Sequence, residues 1–259
     1  MRGDNFDITE GDIESSVILH VPHSSRVIPA EVRAQLLLDD LALEVELDEM
    51  TDSDTDAVAA KARHDSTIKP WIFRNTLSRL VIDPERFPDD REVMNQIGMG
   101  AVYLKTSAGR DLREHDPVRD SQLLERFFHP YALALEELVR SVLNRQGKVT
   151  IIDVHSYRLF EHANGVNKGQ RRPPVCLGVD DFHTPPWLIA LASAAFGKLG
   201  EIVINEPFAG TYVPLSLYRR DARVTSVMME NREDNFHGIG ITRAATVLSE
   251  LISGIEAAR

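Results

Sequence analysis

Short β-branched and apolar runs, separated by segments with helical periodicity, constrain the fold of this chain most strongly. The runs occupy residues 17–21, 149–154, 175–179, 202–204 and 224–229. The run at 149–154 is almost continuously apolar, which is typical of a central strand covered on both faces. Strands that alternate with helices predict an α/β fold with three layers, in which a mostly parallel mixed sheet carries helices on both faces.

The segments between the runs predict the rest of the architecture. Helical spacing of apolar residues predicts helices at 30–47, 51–62, 123–143, 186–199 and 242–258. The pattern at 123–143 is the clearest, and Gly147 follows it as a stop signal. Residues 77–83 contain a strand-like Leu-Val-Ile, residues 98–109 predict a strand or hairpin, and the polar segment 161–174 predicts a long exposed loop.

Length, charge and cysteine content narrow the class of protein. A chain of 259 residues fits one α/β domain, so we predict a single domain over residues 1–259. The net charge of -11 disfavours nucleic acid and anionic membranes as partners. Residues 1–16 lack the pattern of a signal peptide, and we expect a cytoplasmic protein. Cys176 is the only cysteine, which excludes an internal disulfide and a thiolate metal cage.

Five polar residues follow apolar runs, at the position where ligands gather in an open α/β sheet. They are His23, Asp83, His155, Asn205 and Glu230. Because neutral imidazole is a common zinc ligand, our hypothesis is that His23 and His155 hold a divalent metal. The alternative for each histidine is a capping or hydrogen-bonding role.

Carboxylates near residue 54 are candidates for the third ligand, since a catalytic zinc has three protein ligands and one open position for water. Asp52 and Asp56 are spaced i, i+4 and would share one helix face, one as ligand and one as its hydrogen-bonding partner. An acidic first helical turn would explain the same residues without a metal. The segment lacks the glycine and distal glutamate of a calcium-binding EF-hand loop.

Several motifs occur in a fixed order along the chain. They are Val-Pro-His-Ser-Ser (21–25), Met-Thr-Asp (50–52) with Thr-Asp (55–56), Ser-Arg-Leu-Val-Ile-Asp (78–83) with Glu-Arg-Phe-Pro-Asp-Asp (85–90), Ile-Asp-Val-His-Ser (152–156), Asn-Glu-Pro-Phe-Ala-Gly-Thr (205–211) and Met-Glu-Asn-Arg (229–232). Together, over residues 17–236, they resemble the N-formylglutamate amidohydrolase family. The resemblance implies a fold similar to that of zinc-dependent exopeptidases.

The resemblance also implies roles for individual residues. It matches His23 and His155 to metal ligands, and it matches either Asp56, which we favour, or Asp52 to the carboxylate ligand. Glu230 would activate the water and then protonate the leaving amine. The substrate-binding positions that it implies are Ser24, Arg79, Arg86, Asn205, Gly210 and Tyr212. A guanidinium suits a substrate carboxylate, although Arg79 and Asp83 would equally form a structural ion pair.

The predicted function is therefore hydrolysis of the amide bond of a small N-acyl amino acid, similar to N-formylglutamate, with Zn²⁺ or another divalent metal as cofactor. The resemblance implies a role in histidine catabolism. The expected partner is the small-molecule substrate. One alternative is a metallopeptidase that acts on short or cell-wall peptides, for which the loop at 161–174 would border a groove. The other alternative is an inactive ligand-binding protein of the same fold.

Overall fold

The computed structural model describes residues 3–164, 171–236 and 239–258. The described residues form the strands β1 (Phe6–Thr9), β2 (Val17–Val21), β3 (Trp71–Asn75), β4 (Val149–Tyr157), β5 (Val175–Gly178), β6 (Ile202–Ile204) and β7 (Val224–Arg232). The α-helices are α1 (Ala30–Arg33), α2 (Asp40–Met50), α3 (Thr55–Asp65), α4 (Pro117–Leu123), α5 (His129–Gln146), α6 (Pro186–Phe196) and α7 (Ile239–Ala257). The π turn Leu124–Phe128 joins α4 to α5, and Val93–Ile97 and Glu233–Asn235 are 3-10 helices.

All seven strands form one mixed sheet in the order β1-β3-β2-β4-β7-β5-β6. The pairs β2 with β3, β2 with β4, β4 with β7 and β5 with β6 are parallel. The pairs β1 with β3 and β5 with β7 are antiparallel. The predicted mostly parallel mixed sheet is therefore confirmed, with β4 at its centre.

Successive side chains of the strands point to opposite faces of the sheet, and each face has its own core. Leu19 and Ile152 pack with residues of α3, α6 and α7 on one face. Ile18 and Ile151 pack with residues of α5 on the other face. Consecutive residues of these strands are apolar because helices cover both faces of the sheet. This confirms the three-layer arrangement.

The predicted helical segments are present in the structure with different bounds. The segment at 30–47 splits into α1 and α2, because Asp39 caps a new helix by accepting a hydrogen bond from Ala42 N at 2.8 Å. The segment at 123–143 extends from α4 through the π turn to the end of α5. Gly147 ends α5 with φ at 74°, in the left-handed region that glycine adopts readily.

Two segments predicted to contain strands have another conformation. Leu80 and Val81 lie in a turn in which Val81 N donates to Ser78 O, and Ile82 follows without regular structure. All three side chains are buried, so burial rather than strand pairing explains this apolar run. In the segment at 98–109, only isolated bridges such as Met99 to Tyr103 form within the described residues. The strand predictions at 77–83 and 98–109 are wrong.

Strands β1 and β3 were not predicted. Both are short, and β1 is an edge strand that pairs only with β3 among the described strands. Its four residues alternate apolar and polar side chains over too short a length to distinguish a strand from a loop. Of the predicted loop at 161–174, residues 165–170 lie outside the described part of the chain. Among the described helices, none has the length and apolar character needed to cross a membrane.

Candidate active site

The carboxyl ends of the parallel strands β2, β4 and β7 bring the candidate site together. His23 lies two residues beyond β2, and His155 lies near the end of β4, which continues to Tyr157. His155 is the Cα partner of Glu230 on β7. His155 and Glu230 therefore lie within the last three residues of their strands, whereas the sequence predicted that they follow the strand ends.

His23, His155 and Asp52 form a compact buried group. His23 Nδ1 lies 3.3 Å from His155 Nδ1. Asp52 Oδ2 lies 2.9 Å from His155 Nδ1 and 3.7 Å from His23 Nδ1. The loop between α2 and α3 holds Asp52 in place, because Asp52 N donates a hydrogen bond of 3.1 Å to His23 O. One nitrogen from each ring and one carboxylate oxygen thus converge on a single point.

The donor chemistry of this group fits a cation. His23 Nε2 lies 3.0 Å from Asp83 Oδ1, and a carboxylate only accepts, so the Nε2 atom carries the proton. His155 Nε2 faces Glu85 Oε2 at 3.2 Å and Asp153 Oδ1 at 3.3 Å. His155 Nδ1 donates to Asp52 Oδ2 at 2.9 Å, so a proton occupies the point where the three atoms meet, and His155 Nε2 makes no hydrogen bond to the described residues. A metal ion at that point would replace this proton, with His155 Nε2 protonated towards Glu85 and Asp153.

The electrostatics of the two rings favour positive charge. Burial by itself lowers the pKa of His155, but the charges of Glu85 and Asp153 outweigh it and raise this pKa well above its usual value. Burial and Arg79 likewise lower the pKa of His23, yet hydrogen bonds and the charge of Asp83 leave it raised. A divalent cation would receive the same stabilisation.

Asp56, the favoured carboxylate in the sequence analysis, lies outside this group. Helix α3 begins at Thr55, after the left-handed Asp54 at φ 63°, so Asp52 and Asp56 do not share a helix face. The Asp56 carboxylate is 40% exposed and bonds Arg74 Nη1 at 3.2 Å. The expectation that Asp56 joins the two histidines is therefore corrected, and Asp52 occupies that position.

A second tier of polar side chains, which we call the rear network, lies behind the two histidines. It consists of His20, Asp83, Glu85, Tyr131 and Asp153. His20 Nδ1 donates to Asp153 Oδ1 at 2.8 Å, and Tyr131 Oη lies 2.6 Å from His20 Nε2. Glu85 Oε2 lies within 3.6 Å of both His23 Nε2 and His155 Nε2.

Sequence reasoning missed His20, Glu85 and Asp153. Two of them carried a signal, because His20 is the one polar residue of β2 and Asp153 interrupts the apolar run of β4. Buried polar groups in a covered strand need hydrogen-bonding partners, and these two residues provide them for each other. Glu85 lies in a turn region without regular structure, and nothing in its spacing indicated the site.

Glu230 faces the same group from β7 and is 7% exposed. Its Oε2 atom has no hydrogen-bonding partner among the described residues. Burial and the charge of Asp52 raise the pKa of Glu230 to about 7, although His155 and Arg172 act in the opposite direction. A carboxyl group with this pKa can both accept and donate a proton near neutral pH.

The two arginines of the sequence analysis have different surroundings. Arg79 donates to Asp83 Oδ2 from Nε at 3.2 Å and from Nη2 at 2.7 Å. Its Nη1 atom lies 3.6 Å from Asp52 Oδ1, next to the histidine pair. Arg86 Nε lies 3.6 Å from Asp83, and Arg86 Nη1 lies 3.9 Å from Glu92. The structural ion pair between Arg79 and Asp83 is thus present, and one edge of Arg79 still faces the site.

The remaining predicted substrate positions lie around the site. Ser24 follows His23, and its hydroxyl has no hydrogen-bonding partner among the described residues. Asn205 Oδ1 accepts from Val179 N at 2.8 Å and from Gly210 N at 3.2 Å, which orders the loop after β6. The Tyr212 ring centroid lies 4.8 Å from that of His20, behind the histidine pair.

A cleft opens beside Asp52 and Glu230. It is lined by residues 49–53, Arg79, residues 156–158, His162, Arg172, Phe208, Glu230 and Glu233. Ser24, Arg86, Asn205, Gly210 and Tyr212 are not among the described residues that line it, and their substrate-binding roles stay predictions. Sequence reasoning missed His162 and Arg172, which lie in the polar segment at 161–174 and have no regular spacing.

The fold and this histidine and carboxylate centre define an α/β protein with a potential hydrolytic site at its strand ends. The family model for N-formylglutamate amidohydrolase matches residues 15–236. The chain therefore belongs to the N-formylglutamate amidohydrolase family, which places it among the amidohydrolases.

Solved structures agree with this fold. The N-formylglutamate amidohydrolase from Ralstonia eutropha JMP134 superposes with a TM-score of 0.80 at 18% sequence identity, and the match covers 98% of each chain. A gene product from Agrobacterium tumefaciens superposes with a TM-score of 0.75 at 19% identity, covering 99% of this chain and 96% of the other. No protein of curated function matches this sequence.

Proposed function

We propose that this protein hydrolyses the amide bond of a small N-acyl amino acid, such as N-formylglutamate, with one divalent metal ion as cofactor. The observation that carries the proposal is the convergence of His23 Nδ1, His155 Nδ1 and Asp52 Oδ2, all within 3.7 Å of one another. Two imidazole nitrogens and one carboxylate oxygen suit zinc, and leave a fourth position for water or substrate. Family membership supports the reaction class.

The metal would polarise the scissile carbonyl and lower the pKa of the attacking water. Glu230 would take the proton of that water, a role supported by its unpartnered buried carboxylate oxygen and by its position lining the cleft together with Asp52. The same carboxyl group then donates the proton to the leaving amine. Products are the free carboxylic acid of the acyl group and the amino acid.

Arg79 supplies positive charge beside the reacting centre. Its Nε and Nη2 edge holds Asp83, while its Nη1 lies near Asp52 at the cleft. We assign this free edge to the α-carboxylate of the acyl amino acid, which lies two bonds from the amide nitrogen. A guanidinium forms two directed hydrogen bonds to a carboxylate when one edge is free, and Arg79 retains that capacity on one side.

The proposal is tested by metal removal and reloading combined with a substrate panel. Chelator-treated protein should release no formate from N-formylglutamate, and one equivalent of Zn²⁺ should restore the reaction. The panel includes N-acetylglutamate and short peptides. Metal binding without turnover of any amide would contradict hydrolysis and indicate a binding protein. Turnover restricted to peptides would indicate a metallopeptidase instead.

A further inference from the structure

Arg172 is a buried cation at the edge of the cleft. The residue is 4% exposed. Its Nε and Nη2 atoms donate to Glu161 Oε2 at 3.2 and 2.9 Å. The guanidinium carbon lies 5.2 Å from the ring centroid of Tyr157 and 5.1 Å from that of Phe208. Two aromatic rings and one carboxylate thus fix the plane of the guanidinium.

One side of this guanidinium remains available. Arg172 Nη1 makes no hydrogen bond to the described residues, and Arg172 lines the cleft together with Glu230 and His162. Its charge acts inside the cleft, because burial and Arg172 together lower the pKa of His162 to about 4. His162 is therefore neutral beside it, and its Nδ1 atom also lacks a hydrogen-bonding partner among the described residues.

The other two arginines that line the cleft each lie near two carboxylates. Arg158 Nη1 bonds Glu233 at 2.7 Å, and Arg158 Nη2 lies 3.7 Å from Glu49. Arg79 bonds Asp83 and lies next to Asp52. Arg172 differs from both, because its one carboxylate partner, Glu161, leaves an edge that faces the cleft and lies away from the metal-binding group.

Arg79 and Arg172 reach the cleft from elements on either side of the central strands. Arg79 follows β3, which lies beyond β2, whereas Arg172 precedes β5, which lies beyond β7. Because β5 is antiparallel to β7, its first residue, Val175, lies beside Asn231 near the carboxyl end of β7. A bound molecule that reaches both arginines therefore spans the cleft that they line.

We propose that Arg172 binds a carboxylate on the side chain of the acyl amino acid and so determines the specificity of the enzyme for acidic amino acids. This inference rests on the proposed function, with the amide at the histidine pair and the α-carboxylate at Arg79. A lysine at this position would keep the charge. It would lose the planar fork that contacts Glu161 and a ligand at the same time.

The test compares a matched substrate pair, N-formylglutamate and N-formylglutamine, which differ by a carboxylate and a neutral amide of nearly equal size. The variant is Arg172→Lys, and the control is Arg171→Lys, an adjacent and exposed arginine. A hydrogen bond to a charged group contributes enough that kcat/KM for N-formylglutamate should fall roughly 10- to 100-fold in Arg172→Lys. The kcat/KM for N-formylglutamine should fall by a clearly smaller factor in Arg172→Lys and should remain unchanged in Arg171→Lys.

Equal losses on both substrates, with intact zinc content and Tm, would overturn the subsite. Equal wild-type kcat/KM for the two substrates would overturn it as well, while leaving hydrolysis established. If the wild type hydrolyses neither substrate, the proposed function fails, and calorimetric binding of glutarate decides the subsite separately. Binding at least about tenfold weaker in Arg172→Lys than in Arg171→Lys supports it, and equal binding contradicts it.

Discussion

The two sides of the histidine pair differ in how their polar groups are satisfied. In the rear network, Asp83 accepts hydrogen bonds from His23, Arg79 and Tyr103 at 3.0, 2.7 and 2.7 Å. On the cleft side, Glu230 Oε2 has no hydrogen-bonding partner among the described residues, and His162 Nδ1 makes no hydrogen bond although it lies 3.4 Å from Glu49 Oε2. The rear side also contains two atoms without a hydrogen bond, but Glu85 Oε1 lies 3.5 Å from His20 Nδ1, and His155 Nε2 lies 3.2 Å from Glu85 Oε2. Both sides are largely buried, so exposure to solvent does not explain the difference.

This contrast indicates a division of tasks. A carboxylate with several donors fixes the orientation and protonation of the ring that it holds, so the rear network sets the geometry of the histidines before any ligand binds. Unpartnered buried polar atoms are costly, and native proteins retain them mainly where a ligand, ion or water completes the site. Because only the side of Glu230 also opens into a cleft lined by Asp52 and Arg79, we expect that side to receive substrate.

Removal of Asp52 should have the largest effect. Asp52→Ala deletes the oxygen that both His Nδ1 atoms face, so zinc binding and amide hydrolysis should both be lost. Asp56→Ala is the matched control, because it removes only a partly exposed ion pair with Arg74, a type of pair worth about 0–1 kcal/mol. Elemental analysis of both variants checks this. Zinc retained in Asp52→Ala and lost in Asp56→Ala would reverse the correction made above.

Glu230→Gln should separate chemistry from metal binding. The amide keeps the size of the side chain but cannot accept the proton of the water, so kcat should fall by roughly 10²–10⁴-fold. Zinc content and Tm should match the wild type. Glu250→Gln, on the exposed side of α7, is the control. An unchanged kcat in Glu230→Gln would show that another carboxyl group transfers the proton.

Asp83→Asn tests the rear network. Loss of an outer partner of a metal-bound histidine typically weakens metal affinity about 10–100-fold, so zinc should still bind but with a higher Kd. Competition with a chromogenic chelator measures this Kd. Asp89→Asn changes an exposed aspartate of the same region and should leave it unaltered. Complete loss of zinc in Asp83→Asn, with the fold intact, would show that zinc binding requires the rear network as much as it requires the ligands.

The smallest expected effect is the pH dependence of the stabilisation by zinc. Because the folded-state pKa values of His23 and His155 are raised, their protonation stabilises the metal-free protein fully below about pH 6.5, and this contribution is lost as pH rises through the folded pKa. Protons also compete with metal for the rings. The zinc-induced rise in Tm should therefore be larger at about pH 8.5 than at about pH 6. An equal rise at both pH values would indicate ligands other than these histidines.

Much of the sheet was predictable from sequence, and the reason is local. The core of β4 is a run of β-branched and apolar residues long enough to identify a strand covered on both faces, and β2 and β7 share this character. Placing His23 and His155 together followed from strand ends alone, since carboxyl ends of parallel strands meet at one edge.

The rest of the site depends on contacts that spacing does not encode. Asp52 and Asp56 were indistinguishable in sequence, and the left-handed conformation of Asp54 decided between them by starting α3 after Asp52. Leu80 was read as part of a strand because burial in a turn produces the same apolar run. Arg172 reaches the cleft through tertiary contacts with Tyr157 and Phe208, which no local pattern indicates.

The central claim is that His23, Asp52 and His155 hold one metal ion through their facing atoms. Anomalous diffraction at the zinc edge, on crystals of zinc-loaded protein, locates the ion directly. The account predicts one strong peak within about 2.0–2.2 Å of His23 Nδ1, His155 Nδ1 and Asp52 Oδ2. A peak on the opposite side of the rings, bound by Glu85, Asp153 and His20, would contradict it.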